Sequence, residues 1–267
     1  MDAAWRCLAE PDPARKLALT HDAAAAFARG ELVVPQDVDL EPPRPIGAPG
    51  RPAQPRLVSP RDLPQRGLGR VEGRAAFLHA VAHIEFNAVN LAWDAVYRFR
   101  GLPPQFYADW VQVADDEARH FAMLSARLQE LGAAYGDYDA HNGLWEMAEK
   151  TADSCLRRMA LVPRVLEARG LDVTPGMVAR LRHSGDDASA DLLEVILREE
   201  VAHVAAGTRW FHWCCEREGL VPGREFIRLV REIARGSLRG PFNRPSRTAA
   251  GFDEQELADL ESMEPAR

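Results

Sequence analysis

The sequence predicts an all-α protein: a four-helix bundle with additional helices and an extended, proline-rich arm near the N-terminus. Three observations predict it. Apolar residues recur at helical spacing over several long stretches, and no segment alternates convincingly with a period of two. A lone glutamate followed by a Glu-x-x-His pair occurs twice, as Glu85 with Glu117 and His120, and as Glu167 with Glu200 and His203. Each glutamate-to-pair interval has a turn signal at its middle, as expected when both ligands sit mid-helix in an antiparallel hairpin.

Residues 12–30 read as a helix, with Asp12 as cap, Pro13 in the first turn and Gly30 at the end. Residues 35–67 are rich in proline without a helical period, and predict an extended arm on the body of the protein. A long helix follows from about Glu72 to Arg100, with Leu78, Val81, Ala82, Glu85, Ala88, Val89, Ala92 and Val96 on one face. Gly101-Leu102-Pro103-Pro104 ends it and starts a second helix to Leu131, in which Val113, Ala114, Glu117, His120, Phe121, Leu124 and Leu128 align. Residues 132–143 read as a loop. A third helix is expected from Leu144 to Ala168, breaking near Gly170, with a short helix starting at Thr174-Pro175. Ser184-Gly185-Asp186-Asp187 is the next turn, before a fourth long helix from Asp187 to Glu218. Residues 224–239 read as a further helix, and the tail from Gly240 as loop, weakly helical after Asp253. The expected organisation is an N-terminal helix and arm (1–70), the bundle (71–240) and a C-terminal tail (241–267).

Composition narrows the class. The chain has 267 residues, 46% hydrophobic and 27% charged, ordinary values for a globular protein. No run of about 18 apolar residues suggests a membrane span, and the first residues lack the basic start and apolar core of a signal peptide. Cys7, Cys155, Cys214 and Cys215 form no Cys-x-x-Cys, so reduced thiols in a cytoplasmic protein are expected. The net charge of −7 argues against indiscriminate nucleic-acid binding.

The duplicated motif carries the chemistry. Glu and His three apart lie on one helix face. A carboxylate is costly on an apolar face unless it is paired or bound to a cation, and Glu85, Glu117 and Glu200 stand among Ala, Val, Leu and Ile. Carboxylates and imidazoles without thiolates suit iron or manganese better than structural zinc. The predicted metal ligands are therefore Glu85, Glu117, His120, Glu167, Glu200 and His203, holding two ions. Interhelical salt bridges in a plain bundle are the competing reading. Glu167 is preferred over Glu146, Glu149 and Asp153 because its interval to Glu200 reproduces the first half's and because its flanks are apolar.

These residues look like the ligand set of the ferritin-like di-iron carboxylate superfamily. The stretch from about 70 to 235 resembles an uncharacterised bacterial branch of it, of the domain of unknown function 455 type. Val165-Leu166-Glu167-Ala168-Arg169 is also similar to the third-helix ligand segment of bacterial tRNA hydroxylases, which oxidise a modified adenosine at a di-iron centre. The resemblance implies a ferritin-like bundle and two iron ions, with manganese as the alternative. The expected activity is that of an O₂-activating oxidoreductase, a hydroxylase or oxidase, acting on an organic substrate with an electron donor, as a monomer or small oligomer. Iron handling or storage, and a rubrerythrin-like peroxide scavenger, are the alternatives. The missing Cys-x-x-Cys counts against the latter's usual form.

His79 and His83 point well away from Glu85 around the helix and read as supporting or surface residues. His212 reads as packed among Trp210, Phe211 and Trp213, and Cys214 as core. Ala82, Ala88, Ala92, Ala114 and Gly207 either leave a cavity for O₂ or substrate, or allow close helix packing. Arg224, Arg228, Arg231, Arg235 and Arg239 form a basic stripe, read as a solvated face paired with local acids ahead of an RNA or phosphate site.

Overall fold

The structure is a computed structural model, and it describes residues 1–32, 34, 43–234, 238 and 240–263. These residues are helical apart from turns, loops and a single parallel bridge between Leu57 and Ala140. The chain divides into two compact units, Met1–Glu146 and Met147–Arg267.

In the first unit, α1 (Asp2–Ala9) and α2 (Pro13–Ala28) precede the long helices α3 (Val71–Arg98) and α4 (Pro104–Glu130). As expected, Asp12 caps α2, its side chain accepting from the Arg15 amide at 2.9 Å. Gly101 turns the α3–α4 hairpin at φ 66°, a left-handed conformation that glycine adopts without strain, and Pro104 starts α4 where no helical N–H is needed. α3 packs on α4, α1 on α3 and α2 on α4. The helix α1 was not legible in the sequence. It is held through Lys16 of α2, whose buried ammonium donates to the carbonyls of Cys7 (2.7 Å) and Leu8 (3.1 Å) at the end of α1, and to Asn90 Oδ1 of α3 (2.7 Å). Trp93 Nε1 donates to Thr20 Oγ1 at 2.9 Å, tying α3 to α2.

Apart from a 3-10 turn at Pro60–Asp62, the described part of the arm is extended, and it lies on this unit. Gly50 N donates to Leu8 O, Trp145 Nε1 to Gly47 O, and the Arg44 amide to the Tyr97 hydroxyl. Residues 56–58 exchange backbone bonds with Ala140 in the 132–142 loop. The rest of the arm, 35–42, lies outside the described residues. The helix α5 (Gly143–Lys150) crosses from the first unit into the second.

The second unit corrects the expected third helix. The segment 144–168 is not one helix: α5 stops at Lys150, and Ser154 caps a new helix, α6 (Cys155–Leu161), by accepting from the Arg157 amide at 3.2 Å. A π-helical turn, Val162–Glu167, follows and runs directly into α7 (Ala168–His183). Hence there is no break at Gly170 and no new helix at Thr174-Pro175. Pro175 sits inside α7, where its missing N–H deprives the Leu171 carbonyl of a helical donor. Asn243 Nδ2 supplies that donor at 3.0 Å.

Ser184, Gly185 (φ 77°) and Asp186 then turn the chain into α8 (Asp187–Glu218), with the Asp186 side chain accepting from the Ser189 amide. α8 has the predicted bounds. α9 (Pro222–Leu229) continues through a second π-helical turn, Val230–Ala234. The tail holds two helices, α10 (Arg244–Ala249) and α11 (Glu254–Ser262), the latter with a full Asp253/Glu256 capping box. α7 and α6 pack on α8, and α10 on both α7 and α8. At the centre, the buried Arg164 guanidinium stacks on Phe211, Phe226 and Phe252, and pairs with Glu256 at 2.8 Å. Arg247 pairs with Asp172, also at 2.8 Å.

Candidate metal centre

The first half-motif folds into one cluster. Glu85 stands mid-way along α3, and Glu117 and His120 share a face of α4, so the α3–α4 hairpin brings them together. Their ligand atoms lie within 4.8 Å of one another. His120 Nδ1 is 3.3 Å from Glu85 Oε2 and 3.4 Å from Glu117 Oε2. All three side chains are buried, at 4%, 1% and 0% exposure, so no solvent screens them. Burial alone would push the His120 ring down. The carboxylates of Glu117 and Glu85 outweigh it and push the pKa up to about 11. The cluster is thus a concentrated negative site that could hold a cation.

Phe86 and Phe121, the chain neighbours of Glu85 and His120, both contact the Tyr135 ring, at 5.5 and 4.9 Å between centroids. Tyr135 belongs to the 132–142 loop, which covers α3. Its hydroxyl lies 2.9 Å from His83 Nδ1, and the Gly136 amide donates to His79 Nε2 at 2.9 Å. His79 and His83 are therefore buried supports of this loop, not surface residues, and burial pushes both down to about 4. Ala82, Ala88, Ala92 and Ala114 are all buried.

The second half-motif lies on α8 and the π-helical turn. His203 Nδ1 is 3.5 Å from Glu200 Oε1, with His203 buried and the Glu200 side chain 13% exposed. Glu167 closes the π-helical turn and is half-buried. The rivals considered for Glu167 are all exposed: Glu146, Glu149 and Asp153, the last paired with Arg157 at 2.8 Å.

Gly207, one turn beyond His203, lies against Pro163 of the π-helical turn. A Cβ on Gly207 would fall 2.2 Å from Pro163 Cγ, so this glycine serves close packing and opens no cavity. The π-helical turn itself was not anticipated, although a proline within an apolar helical run signals an irregularity.

Two further readings change. His212 is exposed, because the buried residues around it on α8 are Trp210, Phe211, Cys214 and Cys215. In the basic stripe, Arg224 and Arg231 are exposed, while Arg228 pairs with both Glu225 and Glu232. Arg235 and Arg239 lie outside the described residues. Among the described residues, no helix is long and apolar enough to cross a membrane.

Residues 9–258 match a family described as "Protein of unknown function (DUF455)". An uncharacterized protein of Haemophilus influenzae is 44% identical over 213 residues, covering 77% of this chain and 74% of its own length. No solved structure matches.

Proposed function

We propose that this chain, which belongs to the DUF455 family, is a ferritin-like di-iron or di-manganese carboxylate protein that activates O₂ to oxidise an organic substrate. The observation that carries this reading is the buried cluster of Glu85, Glu117 and His120. Two carboxylates and an imidazole in an apolar interior are expensive without a cation. This donor set, free of thiolate, suits iron or manganese. The repeat of the same motif as Glu167, Glu200 and His203 supports two ions in place of one. Such a pair of redox-active ions would bind O₂ and share the electrons its reduction requires.

The protein's own groups have definite parts. Glu85, Glu117 and His120 would hold one ion, with Glu167, Glu200 and His203 as the ligand set of the second. His120 must shed its ring proton to ligate, so loading releases a proton. Phe86 and Phe121, the chain neighbours of Glu85 and His120, are buried and pack against Tyr135. The oxidant is O₂, the electrons come from an external donor, and the protein works in the cytoplasm as a monomer or small oligomer.

The test is O₂ consumption by iron-loaded protein with and without a chemical reductant. Uptake that depends on the reductant, and is lost in His120→Ala, is the expected result. Assembly into a cage that mineralises iron far beyond the ligand set, without any need for reductant, would replace this reading with iron storage.

A further inference from the structure

The C-terminal tail grips the segment that carries Glu167 on both sides of that residue. Glu167 ends the π-helical turn, and Ala168 begins α7. On the N-terminal side, Arg164 of the same turn donates through Nη2 to Glu256 Oε1 of α11 at 2.8 Å. The second Glu256 oxygen accepts the Asp253 amide at 3.1 Å, so the capping box of α11 holds that carboxylate in place. On the C-terminal side, Arg247 of α10 forks onto Asp172 of α7, Nε to Oδ1 at 2.9 Å and Nη2 to Oδ2 at 2.8 Å. Its Nη2 also reaches the Ala168 carbonyl, 3.5 Å away. Phe252, between α10 and α11, lies against both guanidiniums, 4.4 Å from that of Arg164 and 5.0 Å from that of Arg247. All four charged side chains are at most 2% exposed.

A π-helical turn is a local irregularity in a helix, and Pro163 removes one backbone donor within it. Its shape therefore depends on what packs around it. A guanidinium fork meets a carboxylate in a narrow range of geometries, and burial leaves these pairs unscreened. We propose that the tail positions Glu167 for the second metal site: the Arg164–Glu256 and Arg247–Asp172 pairs hold the backbone on either side of it, so that its carboxylate stays where it ligates. The inference rests on the reading of Glu167, Glu200 and His203 as ligands. Arg164, Asp172, Arg247 and Glu256 are positioning residues that act through Glu167.

Titration of metal-free, full-length protein with Mn²⁺, followed by calorimetry and by electron paramagnetic resonance, tests it. The second ion is the one whose binding is lost in His203→Ala. Its affinity should fall by about 10–100-fold in Glu256→Gln, and its resonance should change shape as a carboxylate ligand moves. Arg164→Met/Glu256→Gln removes both charges of the buried pair and leaves neither unpaired; it should behave in the same way, and it decides the matter if Glu256→Gln does not fold. The first ion, lost in His120→Ala, should bind as in wild type. Arg228→Ala, which breaks exposed pairs with Glu225 and Glu232, should leave both ions unchanged. Folded tail variants that bind the second ion as wild type does, or that lose both ions equally, would overturn the proposal and leave the metal reading standing. A wild type that takes up no second ion would overturn the metal reading, and the proposal with it.

Discussion

His120 draws its character from two carboxylates, Glu85 on one helix and Glu117 one turn back on its own. That arrangement was legible because three-residue spacing fixes a shared helix face whatever else the protein does. The histidines of α3 were not. Helical angles show that His79 and His83 point away from Glu85, but they say nothing of a loop that folds over them. In the structure His79 Nε2 accepts the Gly136 amide, so its ring proton sits on Nδ1 and the ring is neutral. Burial pushes its pKa to about 4 from the ordinary 6.5. The sign follows: folded protein gives up this proton more readily than unfolded protein. The stability is therefore intact above pH 6.5 and is lost as pH falls toward 4, by roughly 2 kcal/mol from this residue. Urea unfolding of wild type and His79→Gln at pH 7.5 and pH 4.5 measures it. The drop on acidification should be smaller in His79→Gln, and an equal drop in both would refute the assignment.

At the scale of elements, the long helices α3, α4 and α8 were read from their apolar faces and turn residues to within a residue or two. The segment 144–183 departs from the expected pattern for a physical reason. Proline is normally a helix breaker, but Pro175 is tolerated because Asn243, distant in sequence, donates to the Leu171 carbonyl. Asn243→Ala should leave that carbonyl without its donor and cost about 1–3 kcal/mol, read as a lower denaturant midpoint. An unchanged midpoint would mean that another group serves it. Gly207 makes a similar point. Its sequence context allowed a cavity or a close approach, and only the packed partner, Pro163, decides. Gly207→Ala should force the π-helical turn away from α8 and cost about 1–3 kcal/mol by overpacking. It should also weaken metal binding at the half-motif those elements carry, which a calorimetric titration with Mn²⁺ would register.

For the whole molecule, composition and periodicity suffice for an all-α class, because long amphipathic helices dominate both units. Short helices were the losses. α1 and α10 have eight and six residues, too few to stand on propensity. They exist through tertiary contacts such as Lys16 beneath α1 and the buried Arg247–Asp172 pair of α10, which no local pattern announces. The repeat of the Glu and Glu-x-x-His motif, by contrast, needs no structure to be seen, and it is what argues for a paired metal centre. The most direct test is metal content after anaerobic loading with Fe²⁺ or Mn²⁺ and removal of unbound ions, in wild type, His120→Ala and His203→Ala. Wild type should hold about two ions per chain, and each variant should lose metal clearly while keeping its helical circular dichroism. At most one ion per chain, zinc alone, or full metal content in both variants would contradict it.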